Sequence, residues 1–196
     1  MVTFIINPIS LKDLATAIAT CVGIYVAITG INAWKKQLRG KTDYELARKY
    51  LKAALKLRDA MKFVRNPFIS IGEMESALKE SGLEGKEYKA HEITNRAVYS
   101  IRWNKAREAW TNLESELLDA EVSWGKEAVN AQASLSSLAK ELVIGLQHFL
   151  DGNIHDAVKA AKNDSLIYNS GAEDNFSKRA ESAIEEIKNF LRPHLQ

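Results

Sequence analysis

The run from Leu14 to Trp34, LATAIATCVGIYVAITGINAW, contains no charged side chain, and Lys35, Lys36, Arg39 and Lys41 follow it at once. At about 1.5 Å of rise per residue it makes a helix about 31 Å long, which matches the roughly 30 Å of bilayer hydrocarbon. The expectation is a single membrane crossing over residues 14–34, preceded by a short leader over residues 1–13. In that leader Lys12 and Asp13 cancel, so the basic collar after the run places the N-terminus outside and the rest of the chain in the cytoplasm, as in a bacterial inner membrane. Trp34 then sits at headgroup depth. A cleaved signal peptide fits poorly, because no cationic segment precedes the apolar run.

The run is only moderately apolar. Leu14, Ile18, Val22, Ile24, Val26, Ile28 and Ile31 each contribute about −0.3 to −0.6 kcal/mol to insertion, a total of only a few kcal/mol. Thr16, Thr20, Thr29, Asn32 and two glycines act against it, and the competing expectation is a buried, Ala-rich helix of a soluble bundle. Ala15, Ala19, Gly23 and Ala27 recur every four residues and form a stripe of small side chains. Such stripes let helix backbones touch in lipid, where no hydrophobic force drives helices together. Self-association through this face is expected, with another membrane protein as the alternative partner. Cys21 is the single cysteine, which excludes an intrachain disulfide framework or a zinc-type cysteine cluster.

Beyond the run, only prolines 67 and 193 interrupt the chain, and the apolar residues recur at helical spacing, so the expected class is all-α. Thr42-Asp43-Tyr44-Glu45 matches a capping box, so together with Gly40 it predicts a helix start and a bend after the span, the alternative being one rod if the backbone stays helical through Arg39-Gly40-Lys41. The basic juxtamembrane segment, residues 35–66, then carries Leu46, Tyr50, Ala53, Leu57, Ala60 and Val64 on one stripe up to Asn66-Pro67. The remaining segment, residues 67–196, reads as an acidic helical domain. A short loop at Phe68 to Ile71 and a brief helix from Glu73 to Glu80 lead to a break marked by Gly82 and Gly85. From about Glu87, a long helix places Tyr99, Trp103, Ala106, Trp110, Leu113, Leu117, Ala120 and Trp124 on one heptad seam. So much aromatic surface must face a partner helix.

Gly125 either ends this helix, giving a coiled-coil-like antiparallel hairpin with the stripe from Leu135 to Phe149, or lies inside one long rod. The hairpin is preferred, since glycine costs about 1 kcal/mol within a helix. A short helix capped by Asn153 and ending at Lys162, a polar break from Asn163 to Asn175, and a last helix with Phe176, Ala180, Ile184, Ile187 and Leu191 complete the pattern.

Charge is divided along the chain. Residues 35–65 hold eleven lysines and arginines against three acids, a balance of +8, while residues 67–196 hold fifteen against twenty-one, a balance of −6. Lys35, Lys36, Arg39, Lys41, Lys49, Lys52 and Lys56 are therefore expected to face anionic lipid of the inner leaflet, each contributing about 1 kcal/mol near the surface. Docking of the basic helix on the protein's own acidic part is the second expectation. Nucleic acid is disfavoured, because the acidic remainder repels phosphate.

Chemistry is sparse. His148, Asp151, His155 and Asp156 are the one cluster of ligand-type side chains, and Gly152-Asn153 breaks the helix that would align them. No phosphate-loop, dinucleotide, nucleophile-elbow or zincin motif occurs, so no catalytic residue, metal or cofactor is expected. Arg58 and Arg65, one heptad apart, are expected to pair with acids across helices. The functional expectation is a non-enzymatic single-pass anchor, scaffold or regulatory adaptor, acting through oligomerisation and helix-mediated binding of a cytosolic partner. The alternative is a membrane-active effector of the stress or phage-defence type, which assembles into a pore lined by Thr16, Thr20, Thr29 and Asn32.

Overall fold

A computed structural model describes residues 11–82, 90–151, 157–169, 171 and 174–195, and among these every regular element is helical. The all-α class is as expected. The chain divides into two compact units, Met1–Asp43 and Tyr44–Gln196.

Helix α1 runs from Leu11 to Val64 without a break. Helical backbone continues through Gly40, and the helix start expected at Thr42 is absent. The Thr42 hydroxyl donates to the Leu38 carbonyl at 3.0 Å, four residues back, a bond that a threonine inside a helix makes and an N-cap cannot. Gly40 costs about 1 kcal/mol, too little to end a helix held from Leu46 onward by buried side chains. Lys12 and Asp13, read as leader, already lie within α1, and residues 1–10 fall outside the described residues.

In the second unit α2 spans Ile71–Glu80 and starts two residues earlier than expected, because Ser70 caps it by accepting from the Glu73 amide at 3.3 Å. Helix α3 spans Ala90–Trp124, and α4 spans Lys126–Asp151. Gly125 between them has φ +73°, and its amide donates to the Glu121 carbonyl at 2.8 Å, so α3 ends there as in the expected hairpin. Helix α5 spans Ala157–Ile167 and α6 spans Asn175–Leu191, followed by a 3₁₀ turn from Arg192 to His194.

Helix α4 is the centre of the bundle, packed on α3, α5 and α6. Leu135, Leu138, Leu142 and Leu146 are buried from it, and each such side chain contributes about 1.5–3 kcal/mol. Helix α1 adds Tyr50, Leu57 and Met61, all fully buried, and the Tyr50 hydroxyl donates to the Ala128 carbonyl at 3.1 Å. The α3 seam faces inward as its spacing predicts: Tyr99, Ala106, Leu113, Leu117 and Ala120 are buried, while Trp103, Trp110 and Trp124 are partly covered.

The polar break expected from Asn163 is corrected. Helix α5 continues through Ile167, and Asn163 is buried against α4 at Gly145, where a Cβ would lie 3.1 Å from the Asn163 Oδ1. A polar side chain marks this contact because the α4 glycine leaves room for it. The Asn153 cap, the Gly85 break and the start at Glu87 fall outside the described residues.

Candidate functional site

The first unit has the form of an exposed apolar helix. No residue of its apolar window is buried, and the window's mean hydropathy is 2.0, so α1 contains one segment long and apolar enough to cross a membrane. That distinguishes it from the core helix of a soluble bundle, which is mostly covered. Ala15, Ala19, Gly23 and Ala27 are all exposed, and a Cβ on Gly23 would meet nothing within 4 Å, so the small-residue stripe is open along its length.

The threonines of this segment are internally satisfied. Thr16 donates to the Lys12 carbonyl and Thr20 to the Thr16 carbonyl, each at 2.8 Å, and Thr29 donates to the Tyr25 carbonyl at 2.9 Å. A hydroxyl bonded to its own backbone can sit in hydrocarbon without an orphan donor. The three threonines by themselves therefore do not require a wet path. Lys35, Lys36, Arg39 and Lys41 follow, all exposed.

In the second unit the basic residues of α1 fall into two groups. Toward its end, Arg58 and Lys62 both pair with Glu181 of α6, at 3.3 and 2.6 Å, and Arg65 is clasped by Asp174 at the head of α6. Arg65 is 1% exposed; its guanidinium also donates to the carbonyls of Leu166, Ser165 and Tyr168 and lies 4.2 Å from the centre of the Phe176 ring. Hydrogen bonding from Arg65 holds the Asp174 carboxyl down to about 2, and that from Lys62 lowers Glu181. The expected interhelical pairing of Arg58 and Arg65 is thus present. Arg102 of α3 forms a second buried cluster, donating to Glu73 at 2.6 Å and to the Phe68 carbonyl at 2.6 Å, and it lowers the Glu73 carboxyl. Sequence reasoning missed Arg102, Glu73, Asp174 and Glu181, although an arginine inside an aromatic seam is itself a signal that a buried acid is nearby.

The second group, Arg48, Lys49, Lys52 and Lys56, is exposed, and no ion pair among the described residues involves it. Burial and, after it, the Glu114 carboxylate raise the Tyr50 phenol between these residues and α4. Glu114 accepts from Trp110 Nε1 at 2.8 Å, from Gln132 at 3.3 Å and from Ser136 at 3.4 Å, bridging α3 to α4.

Nothing in this unit gathers reactive groups. Among the described residues no three His, Cys, Asp or Glu side chains converge on a possible metal position, His148 is exposed, and His155 and Asp156 lie outside them. The described clefts are open grooves, such as that lined by Pro67, Phe68, Ile69, Met74, Tyr99 and Tyr168. No family model, characterised protein or solved structure shows significant similarity to the chain.

Proposed function

We propose that this protein is a non-enzymatic, single-pass membrane anchor or scaffold that works by assembly. Residues 14–34 cross the bilayer, the collar Lys35, Lys36, Arg39 and Lys41 lies against anionic lipid of the inner leaflet, and the helical bundle is held in the cytoplasm. The observation that carries this reading is a run of apolar helix with none of its window buried, joined to a bundle that has a complete core of its own. A helix left bare in water exposes Leu14, Ile18, Val22, Ile24, Val26, Ile28 and Ile31 together, an apolar area that soluble monomers do not leave uncovered. The open Ala15-Ala19-Gly23-Ala27 stripe supports pairing of protomers within the bilayer.

Fractionation of cells making the full chain tests the anchor. The protein is expected in the membrane fraction, resistant to alkaline carbonate and released by detergent, with the bundle digested by protease only after the cells are opened. Recovery in the soluble fraction refutes the reading. Assembly is tested by the mass of the full chain in mild detergent, where Gly23→Ile is expected to shift the oligomer toward monomer; an unchanged oligomer removes the stripe from the proposal.

A further inference from the structure

The outer face of α3 near the hairpin turn carries an exposed apolar pair edged by acids. Leu118 and Val122, one helical turn apart, are 65% and 89% exposed. Thr111 and Ser115 continue the same stripe, and at about 100° per residue Glu114 and Glu121 fall on one flank and Asp119 on the other. No lysine or arginine occurs between Thr111 and Gly125. This apolar strip edged by acids does not suit an anionic lipid surface, and two such strips repel each other. It calls for a basic partner.

The chain carries one. Arg48, Lys49, Lys52 and Lys56 form an exposed face of α1 in the same unit, with no ion pair among the described residues. The two faces also occupy one level of the bundle: Tyr50, among the basic residues, bonds to Ala128 just past the hairpin turn, and Glu114 bonds to Gln132 and Ser136 one to two turns further along α4.

We propose that the basic α1 face of one copy docks on the acid-edged Leu118–Val122 strip of the next. This rests on the anchor reading, because copies held in one bilayer are confined to two dimensions, which raises the concentration at which the two faces meet. The contact joins two different surfaces, so its repetition leaves no face unused where the rotation closes into a ring. Charge complementarity sets the register, and removal of Leu118 and Val122 from water supplies the attraction.

The test is the mass of the full-length protein in a neutral detergent, where lipid charge plays no part, at low salt and in about 1 M salt, where the screening length falls to about 3 Å. Lys49→Glu/Lys52→Glu/Lys56→Glu and Asp119→Lys/Glu121→Lys are each expected to shift the wild-type oligomer to smaller species. The chain carrying both sets is expected to regain the wild-type mass, and Val122→Asp, at a site too exposed to affect folding, to lose it. Rescue by the combined set supports the docking surface, since no folding defect produces it. If the reversals leave the mass unchanged while Gly23→Ile lowers it, this interface is overturned and the anchor reading stands. A wild-type monomer under all conditions overturns both this interface and the assembly reading.

Discussion

Arg65→Met probes the joint between α1 and α6. The substitution keeps the apolar stem but removes a guanidinium that is 1% exposed, and it leaves the Asp174 carboxylate, 3% exposed, without its partner. The carbonyls of Ser165, Leu166 and Tyr168 lose their donor as well. Breaking a buried pair by removing one member costs about 3–5 kcal/mol, because the remaining charge stays desolvated. An independent scale comes from the acid: a carboxyl held from 3.8 down to about 2 contributes about 2 kcal/mol through its ionised form.

The sign follows from the depressed value. This contribution is complete above the ordinary carboxylate range and is lost as pH falls from about 4 toward 2, when the native state finally takes up the proton. Thermal unfolding of the full chain in mild detergent, followed by circular dichroism, measures the effect. At about 2–4 °C per kcal/mol for a bundle of this size, Arg65→Met is expected to lower Tm by about 10 °C at pH 7. The difference from wild type should shrink between pH 4 and pH 2. A loss under about 1 kcal/mol, or a difference independent of pH over that interval, refutes the account of Arg65 as the clasp.

Glycine exchanges separate the two helix junctions. Gly125→Ala forces a side chain into φ +73° and is expected to cost about 1–2 kcal/mol, whereas Gly40→Ala, with open space around it in a continuous helix, is expected to stabilise by up to about 1 kcal/mol; equal effects contradict the assigned backbone. Capping gives a similar contrast. Ser70→Ala should cost about 1 kcal/mol and Thr42→Ala close to none, as read from urea unfolding. Gly145→Ala is expected to weaken the α4–α5 contact, since its Cβ would stand 3.1 Å from the Asn163 Oδ1, and faster amide exchange in α5 is the readout; unchanged protection contradicts it.

Much of the fold was legible in local pattern. The heptad seam from Tyr99 to Trp124 and the stripe from Phe176 to Leu191 point inward as their spacing predicts, because burial follows the 3.6-residue period whatever the partner helix is. Gly125 was readable as a helix end because few other residues accept a positive φ. Thr42 departs from its motif, since a capping box has the same letters whether its backbone enters a helix or continues one. Asn163 departs from its pattern for a related reason: polarity marks a loop only where no neighbour is close enough to bury it.

Composition and periodicity alone thus determined the helical class, the uncharged run at residues 14–34 and the division of charge, since these depend only on which residues stand near one another along the chain. Tertiary structure decided what the charges do. Arg65, Lys62 and Lys56 look alike in sequence, yet the first is buried on Asp174, the second pairs with Glu181 and the third is exposed, with no ion pair among the described residues. Acids more than a hundred residues away reach α1 only through the packing of α6, and no local pattern encodes that approach.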